Sequence, residues 1–66
     1  MRIWLNGEAV ELEEGSTLSD LCERFGIKTG GSAISLNGEL VPRSEYGKLA
    51  LQEASEVEVM VLVGGG

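Results

Sequence analysis

The dipeptide Asn6-Gly7 lies between two short apolar runs, and it constrains the fold more than any other feature of the chain. Asn-Gly readily supplies the two positive φ angles of a type I′ turn, which joins the strands of a tight hairpin. The sequence therefore predicts a hairpin with strands at residues 2–5 and 8–12. Because side chains alternate along a strand, Trp4 points away from the apolar face of this hairpin.

A helix is predicted after the hairpin. Thr17 and Asp20 have the spacing of a capping box, in which each side chain accepts a hydrogen bond from the other residue's backbone N–H. Gly26 suits the left-handed position that ends many helices. An apolar face with helical spacing lies between them and comprises Leu18, Leu21, Cys22 and Phe25. We interpret Cys22 as a packing residue, because free cysteine is among the most buried residue types.

The second half of the chain predicts three more strands. Residues 33–36 and 40–42 flank a second Asn-Gly turn, and Pro42 makes the latter segment an edge strand because proline cannot donate to a ladder. Residues 56–63 alternate valine with other side chains, which is typical of a half-buried strand. The expected fold class is α+β, with a mixed sheet of four or five strands and one main helix on one face.

Size and composition exclude several classes of function. The 66 residues include no histidine and one cysteine, which argues against a metal site, an internal disulfide and general-base catalysis. So small a domain has little room for a ligand pocket, and we do not expect an enzyme. The net charge of −6 argues against nucleic acid or membrane as a partner, and favours either steering toward a basic protein or simple solubility. Without a disulfide framework or a long apolar segment, we expect a cytoplasmic protein.

The sequence closes with Gly64, Gly65 and Gly66, directly after the predicted last strand. Glycine has no Cβ, so such a tail is thin and has many backbone conformations available. Fully extended, it reaches roughly 10 Å, at about 3.3–3.6 Å per residue. It can present its carboxylate inside a channel too narrow for side chains, and the alternative is a frayed terminus or a cloning remnant. We divide the chain into a domain at residues 1–63 and a flexible tail at residues 64–66.

The order of elements and the glycine end resemble the ubiquitin-like sulfur carriers, and most closely the ThiS family of thiamine biosynthesis. Four segments carry the resemblance: residues 1–7 (MRIWLNG), 15–18 (GSTL), 36–43 (LNGELVPR) and 61–66 (VLVGGG). One departure is visible before the last strand, where the family often has a tight turn of the Asp-Gly-Asp kind and this chain has EASE at residues 53–56. The resemblance implies a β-grasp, or ubiquitin-like, fold.

The resemblance also implies that Gly66 carries sulfur and that partner enzymes do the chemistry. An E1-like adenylyltransferase would activate the Gly66 carboxylate with ATP and Mg²⁺, so the chain itself would bind no cofactor. Sulfur would come as a persulfide from a cysteine desulfurase, and thiazole synthase would take it from the Gly66 thiocarboxylate. Gly64 and Gly65 would let the tail thread into the active sites of these partners.

Strand alternation predicts a docking face beside the tail. If the valines of the last strand pack in the core, Glu58, Met60 and Leu62 lie on the opposite, open face of the sheet. The first and last strands are neighbours in β-grasp proteins, and this analogy brings Trp4 to the same face. An exposed apolar area with an aromatic anchor is typical of interfaces. The alternative is that Trp4 folds over the local surface as a lid.

Two other functions stay open on the sequence alone. A glycine tail of this kind would also serve the small subunit of molybdopterin synthase or a ubiquitin-related modifier, although the length and the Val-Pro-Arg segment at residues 41–43 favour the thiamine carrier. The alternative of another class is a β-grasp protein-interaction module without sulfur chemistry.

Overall fold

The hairpin predicted around Asn6-Gly7 is present. The computed structural model describes residues 1–62, in which strand β1 (Arg2–Leu5) pairs antiparallel with β2 (Glu8–Glu11). Asn6 and Gly7 have φ angles of 50° and 84°, both positive as a type I′ turn requires. The prediction is confirmed, with the second strand one residue shorter than expected.

Three further strands complete one mixed sheet. They are β3 (Ser32–Leu36), β4 (Glu39–Leu40) and β5 (Glu56–Val61). The strand order is β2-β1-β5-β3-β4, in which β1 and β5 run parallel and the other neighbours run antiparallel. The predicted edge strand is present, but it covers Glu39–Leu40 and not residues 40–42. Strand β5 ends at Val61, and the predicted limit at residue 63 lies outside the described residues. The predicted α+β class is confirmed.

Helix α1 (Leu18–Phe25) begins and ends as predicted. Thr17 Oγ1 accepts a hydrogen bond from the Asp20 N–H at 3.2 Å, and Asp20 Oδ2 accepts one from the Thr17 N–H at 2.9 Å, which completes the capping box. Gly26 takes the left-handed conformation, with φ 67°. None of the helices in residues 1–62 is long and apolar enough to cross a membrane.

The core lies between α1 and one face of the sheet. Its fully buried side chains are Ile3, Leu18, Leu21, Ile34 and Val57. Cys22 is buried among them, which confirms its interpretation as a packing residue. Phe25 has the helical spacing of this face, but it is 42 % exposed. The helix stops at Phe25, one turn after Leu21, so the ring lies at the margin of the buried face.

Both Asn-Gly turns hold the central strand β5. On the β1 side, the Asn6 N–H donates to the Val57 carbonyl (2.9 Å), and Asn6 Oδ1 accepts from the Val59 N–H (2.8 Å). On the β3 side, the Asn37 N–H donates to the Glu56 carbonyl (2.7 Å), and Asn37 Oδ1 accepts from the Glu56 N–H (2.9 Å). Each asparagine is therefore both a turn residue and an extension of the hydrogen-bond ladder.

The turn before β5 contains a strained residue. Ala54 has φ 67°, in the left-handed region that disfavours residues with a Cβ by about 1–2 kcal/mol. We expect Ala54→Gly to raise the free energy of unfolding by about 1 kcal/mol, because glycine adopts this conformation without strain. Thermal denaturation measures the change, which corresponds to about 4–8 °C for a domain of this size. Ala9→Gly in β2 is the control and should lower the melting temperature. A decrease for both variants would contradict the prediction.

Candidate functional site

The predicted sulfur-carrying residue follows β5 in the sequence. Gly64, Gly65 and Gly66 lie outside the described residues, as does Val63. Their roles, and the boundary between a domain at residues 1–63 and a tail at residues 64–66, therefore stay predictions. The structure defines the strand that precedes this segment and the surface around that strand.

Trp4, Glu58 and Met60 lie on the face of the sheet opposite α1. The register of β1 against β5 places Trp4 beside Glu56. Residues two apart on a strand share a face, so Glu58 and Met60 lie on the same side as Glu56. All of these side chains are exposed, with Trp4 at 40 % and Met60 at 46 %. The structure thus brings three of the predicted docking residues to one surface, and their role in binding stays a prediction.

Trp4 lies in an open depression with an acidic rim. The residues that line the depression are Trp4, Asn6, Gly7, Glu56 and Glu58. Neither glutamate forms an ion pair within residues 1–62. An indole ring beside two unpaired carboxylates attracts a cationic side chain. Glu56 was not among the predicted docking residues, because only the register of the parallel β1–β5 pair places it next to Trp4.

Leu62, the fourth predicted docking residue, follows the end of β5, where the open face of the sheet meets a second surface, a groove. Leu62 is 60 % exposed, and its N–H donates to the Gly31 carbonyl at 2.9 Å. Together with Val59 and Val61 it lines a mostly apolar groove that continues to Ile27. The prediction that Leu62 lies on the open face used the alternation of side chains along β5. Because β5 ends at Val61, one residue earlier, this alternation does not extend to Leu62.

The one cysteine of the chain is not available for sulfur chemistry. Cys22 is buried in the core, and this burial raises the pKa of its thiol. Because the thiolate is the nucleophilic form, burial and the raised pKa both make the side chain less reactive. Within residues 1–62, no group of three histidine, cysteine, aspartate or glutamate side chains is placed to hold a metal ion.

Known proteins match this chain over its whole length. It is 39 % identical over 66 residues to a thiazole synthase of Magnetococcus marinus and 29 % identical to one of Paramagnetospirillum magneticum. Each match covers all of this chain and 20 % of the relative, so the chain spans about one fifth of the length of these proteins. It is also 26 % identical to the sulfur carrier protein ThiS of Escherichia coli K12, over all of both chains.

The fold has a close counterpart among solved structures. The crystal structure of the thiamine biosynthesis protein ThiS from Geobacter metallireducens superposes with a TM-score of 0.88, covering all of both chains at 22 % identity. This likeness confirms the β-grasp fold. The model of the ThiS family matches residues 3–66, a range that includes both the predicted docking residues and the glycine end. The chain belongs to the ThiS family.

Proposed function

We propose that this chain is a sulfur carrier protein of thiamine biosynthesis that holds sulfur as a thiocarboxylate on Gly66. The observation that carries the proposal is the ThiS family match, which runs from residue 3 through the glycine end. The E. coli relative, named a sulfur carrier protein, matches over its whole length. The two thiazole synthases contain a segment similar to the entire chain, which supports thiazole synthase as the protein that accepts the sulfur.

Partner enzymes perform the chemistry in this proposal. An E1-like adenylyltransferase binds ATP and Mg²⁺, and an oxygen of the Gly66 carboxylate attacks the α-phosphorus and displaces pyrophosphate. The terminal sulfur of a persulfide, generated by a cysteine desulfurase, then attacks the acyl carbon and displaces AMP. A thiol cleaves the resulting S–S bond, which leaves the Gly66 thiocarboxylate and a disulfide.

Each step answers a problem of reactivity. A carboxylate is a poor electrophile, and adenylation gives its carbon a good leaving group. The sulfur of a thiocarboxylate is a stronger nucleophile than the oxygen it replaces, so it can attack a carbon centre held by thiazole synthase. The chain supplies the reacting group, as other group carriers do. Stabilisation of the transition states belongs to the partners, and the chain binds no cofactor of its own.

The fold is suited to a chain that supplies the reacting group while partner enzymes supply the catalysis. Val57 anchors β5 in the core, and hydrogen bonds from Asn6 and Asn37 hold the strand from both sides. The glycine end follows this rigid strand after Leu62 and Val63. In our proposal the partners bind the docking face, formed by Trp4, Glu58, Met60 and Leu62, and then receive the tail. We place this cycle in the cytoplasm, because the chain has a single buried thiol and no disulfide.

Among the possible uses of the sulfur, we favour thiamine biosynthesis. The relatives described above are named for thiazole synthase or ThiS. A small subunit of molybdopterin synthase or a ubiquitin-related modifier would use the same tail chemistry, and an interaction module would use none. Loading of Gly66 with sulfur distinguishes a sulfur carrier from an interaction module. Transfer of that sulfur to thiazole synthase distinguishes a thiamine carrier from the other two carriers.

Intact-mass measurement tests the proposal. The protein isolated from cells grown without thiamine should include a fraction that is heavier by one oxygen-to-sulfur exchange. Iodoacetamide added under native conditions at neutral pH should label this fraction, because a thiocarboxylate is anionic and nucleophilic there. Cys22 should stay unlabelled, since burial raises its pKa. Fragmentation of the labelled protein should locate the added group to Gly66.

A Cys22→Ala variant is the control for the labelling experiment. It should acquire the same sulfur-dependent label as the natural chain. The proposal fails if Gly66 keeps an ordinary carboxylate in cells, and keeps it after incubation with the adenylyltransferase of the same organism, ATP, Mg²⁺, cysteine and a cysteine desulfurase. The chain would then be an interaction module.

A further inference from the structure

β5 projects past the turn that joins β1 to β2. The two strands pair at Trp4 with Glu56 and at Leu5 with Val57, after which the chain turns away at Asn6. On its other side, β5 stays paired with β3 as far as Val61. Within residues 1–62, the last part of β5 therefore has a strand neighbour on the β3 side and none on the β1 side.

The backbone groups on this free edge follow from the alternation of the ladder. The Val57 carbonyl accepts from the Asn6 N–H, and the Val59 N–H donates to Asn6 Oδ1, so odd-numbered residues of β5 point their backbone groups toward β1. The Val59 carbonyl and both backbone groups of Val61 point the same way, and they have no partner within residues 1–62. Val61 is 78 % exposed. An edge of this kind is a template for pairing with another chain.

The side chains beside this edge favour a cationic occupant. The acidic depression around Trp4 borders the open face of β5 at Asn6, where the free edge begins. Glu56 and Glu58 contribute carboxylates that form no ion pair within the described part of the chain. A guanidinium or ammonium group over the indole of Trp4 would satisfy both the ring and the carboxylates.

We propose that an extended, basic segment of the sulfur-accepting partner adds to β5 as a sixth strand, in line with β1. This inference rests on the proposed function, which supplies the partner. The segment bonds through its backbone to the Val59 carbonyl and to Val61, and it places an arginine or lysine over Trp4. Strand addition takes its affinity from main-chain hydrogen bonds and its specificity from alternate side chains.

A second copy of this chain fits the edge poorly. Self-association would bring together two acidic chains, each with a net charge of −6. Like charges on paired strands are destabilising. A basic partner removes this repulsion, and the electrostatic field of the chain speeds its association.

Amide exchange tests the backbone contact directly, with thiazole synthase of the same organism as the probe. In the free chain the Val61 N–H should exchange rapidly, whereas the Met60 N–H, which points to β3, should be protected. In the complex, exchange at Val61 should slow by at least about tenfold, as expected for a new ladder hydrogen bond. Unchanged exchange at Val61 in a formed complex would overturn the inference.

A pair of variants separates the backbone of Val61 from its side chain. Val61→Pro removes the N–H on the free edge and leaves the β3 ladder intact, because proline is tolerated where the N–H faces away from the sheet. It should weaken binding of thiazole synthase by about tenfold or more. Val61→Ala keeps the N–H and should weaken binding by less than about threefold. Equal losses for both variants would overturn the inference.

A charge variant tests the basic side chain. Glu58→Gln should weaken binding by about threefold and reduce its dependence on salt, since one partly exposed ionic contact is lost. Glu23→Gln, an exposed substitution on α1, is the matched control and should change neither. Loss of affinity without a change in salt dependence would contradict a cationic occupant.

The outcomes distinguish this inference from the proposed function. If Gly66 is loaded with sulfur and Val61→Pro binds thiazole synthase normally, the function stands and the sixth strand is wrong. If the chain self-associates through an edge that Val61→Pro abolishes, the occupant is a second copy and the inference is again wrong. If Gly66 is never loaded, the proposed function and the inference that rests on it both fail.

Discussion

Replacing Gly65 with alanine should reduce adenylation of Gly66 by about a hundredfold or more, while the sheet stays intact. The proposed function requires the tail to enter a channel of the adenylyltransferase and to present its carboxylate to ATP. A Cβ at Gly65 widens the tail next to the reacting group, and a misplacement of about 1 Å in an active site lowers rates by about 10²-fold. ATP–pyrophosphate exchange measures adenylation directly.

Gly30→Ala is the matched control for this variant. Gly30 has an ordinary φ angle, and a Cβ built there meets no atom within 4 Å. Adenylation and melting temperature should therefore stay unchanged. Addition of one alanine after Gly66 should be as damaging as Gly65→Ala, because it displaces the reacting carboxylate. Normal adenylation of Gly65→Ala would remove the threading argument and leave the carrier function itself in place.

Truncation of Leu21 should have the largest effect on stability. The side chain is fully buried in α1, and a buried leucine replaced by alanine destabilises a protein by about 2–5 kcal/mol. A chain of this length has a total stability of only about 3–10 kcal/mol, at roughly 0.05–0.15 kcal/mol per residue. Leu21→Ala should therefore leave a substantial unfolded fraction at 37 °C. Urea denaturation followed by circular dichroism measures the loss.

Phe25→Ala on the same helix gives the comparison. Phe25 is 42 % exposed, so its truncation should lower the free energy of unfolding by about 1 kcal/mol or less. The two positions are four residues apart and share one face of the helical pattern in the sequence. Similar losses at both positions would show that the ring of Phe25 belongs to the core after all.

Local sequence signals predicted most of the fold. Asn6-Gly7 fixed the hairpin, and the Thr17–Asp20 pair and Gly26 fixed the two ends of α1, because each of these features acts through neighbouring backbone atoms. Helical periodicity alone did not predict the exposure of Phe25. The burial of a residue also depends on which elements pack against the helix at that point, which no local pattern contains.

The surface around β5 was harder to predict, because it depends on contacts between distant segments. Alternation placed Glu58 and Met60 on one face, whereas the adjacency of β1 and β5 came from resemblance to a family and not from residue patterns. Glu56 beside Trp4 and the hydrogen bond from Val59 to Asn6 join residues about fifty positions apart. Asn6 was predicted only as a turn residue, since turn chemistry explains an asparagine there without any further role.

The strand order has a consequence for the timing of folding. The hairpin of β1 and β2 and the hairpin of β3 and β4 lie on opposite sides of β5, and the sheet joins them only through that strand. During synthesis the ribosome makes both hairpins before it makes β5, so neither can join a common sheet until β5 has been made. Such long-range pairing favours slow folding. A nascent chain would therefore hold two separate, marginal hairpins until β5 emerges.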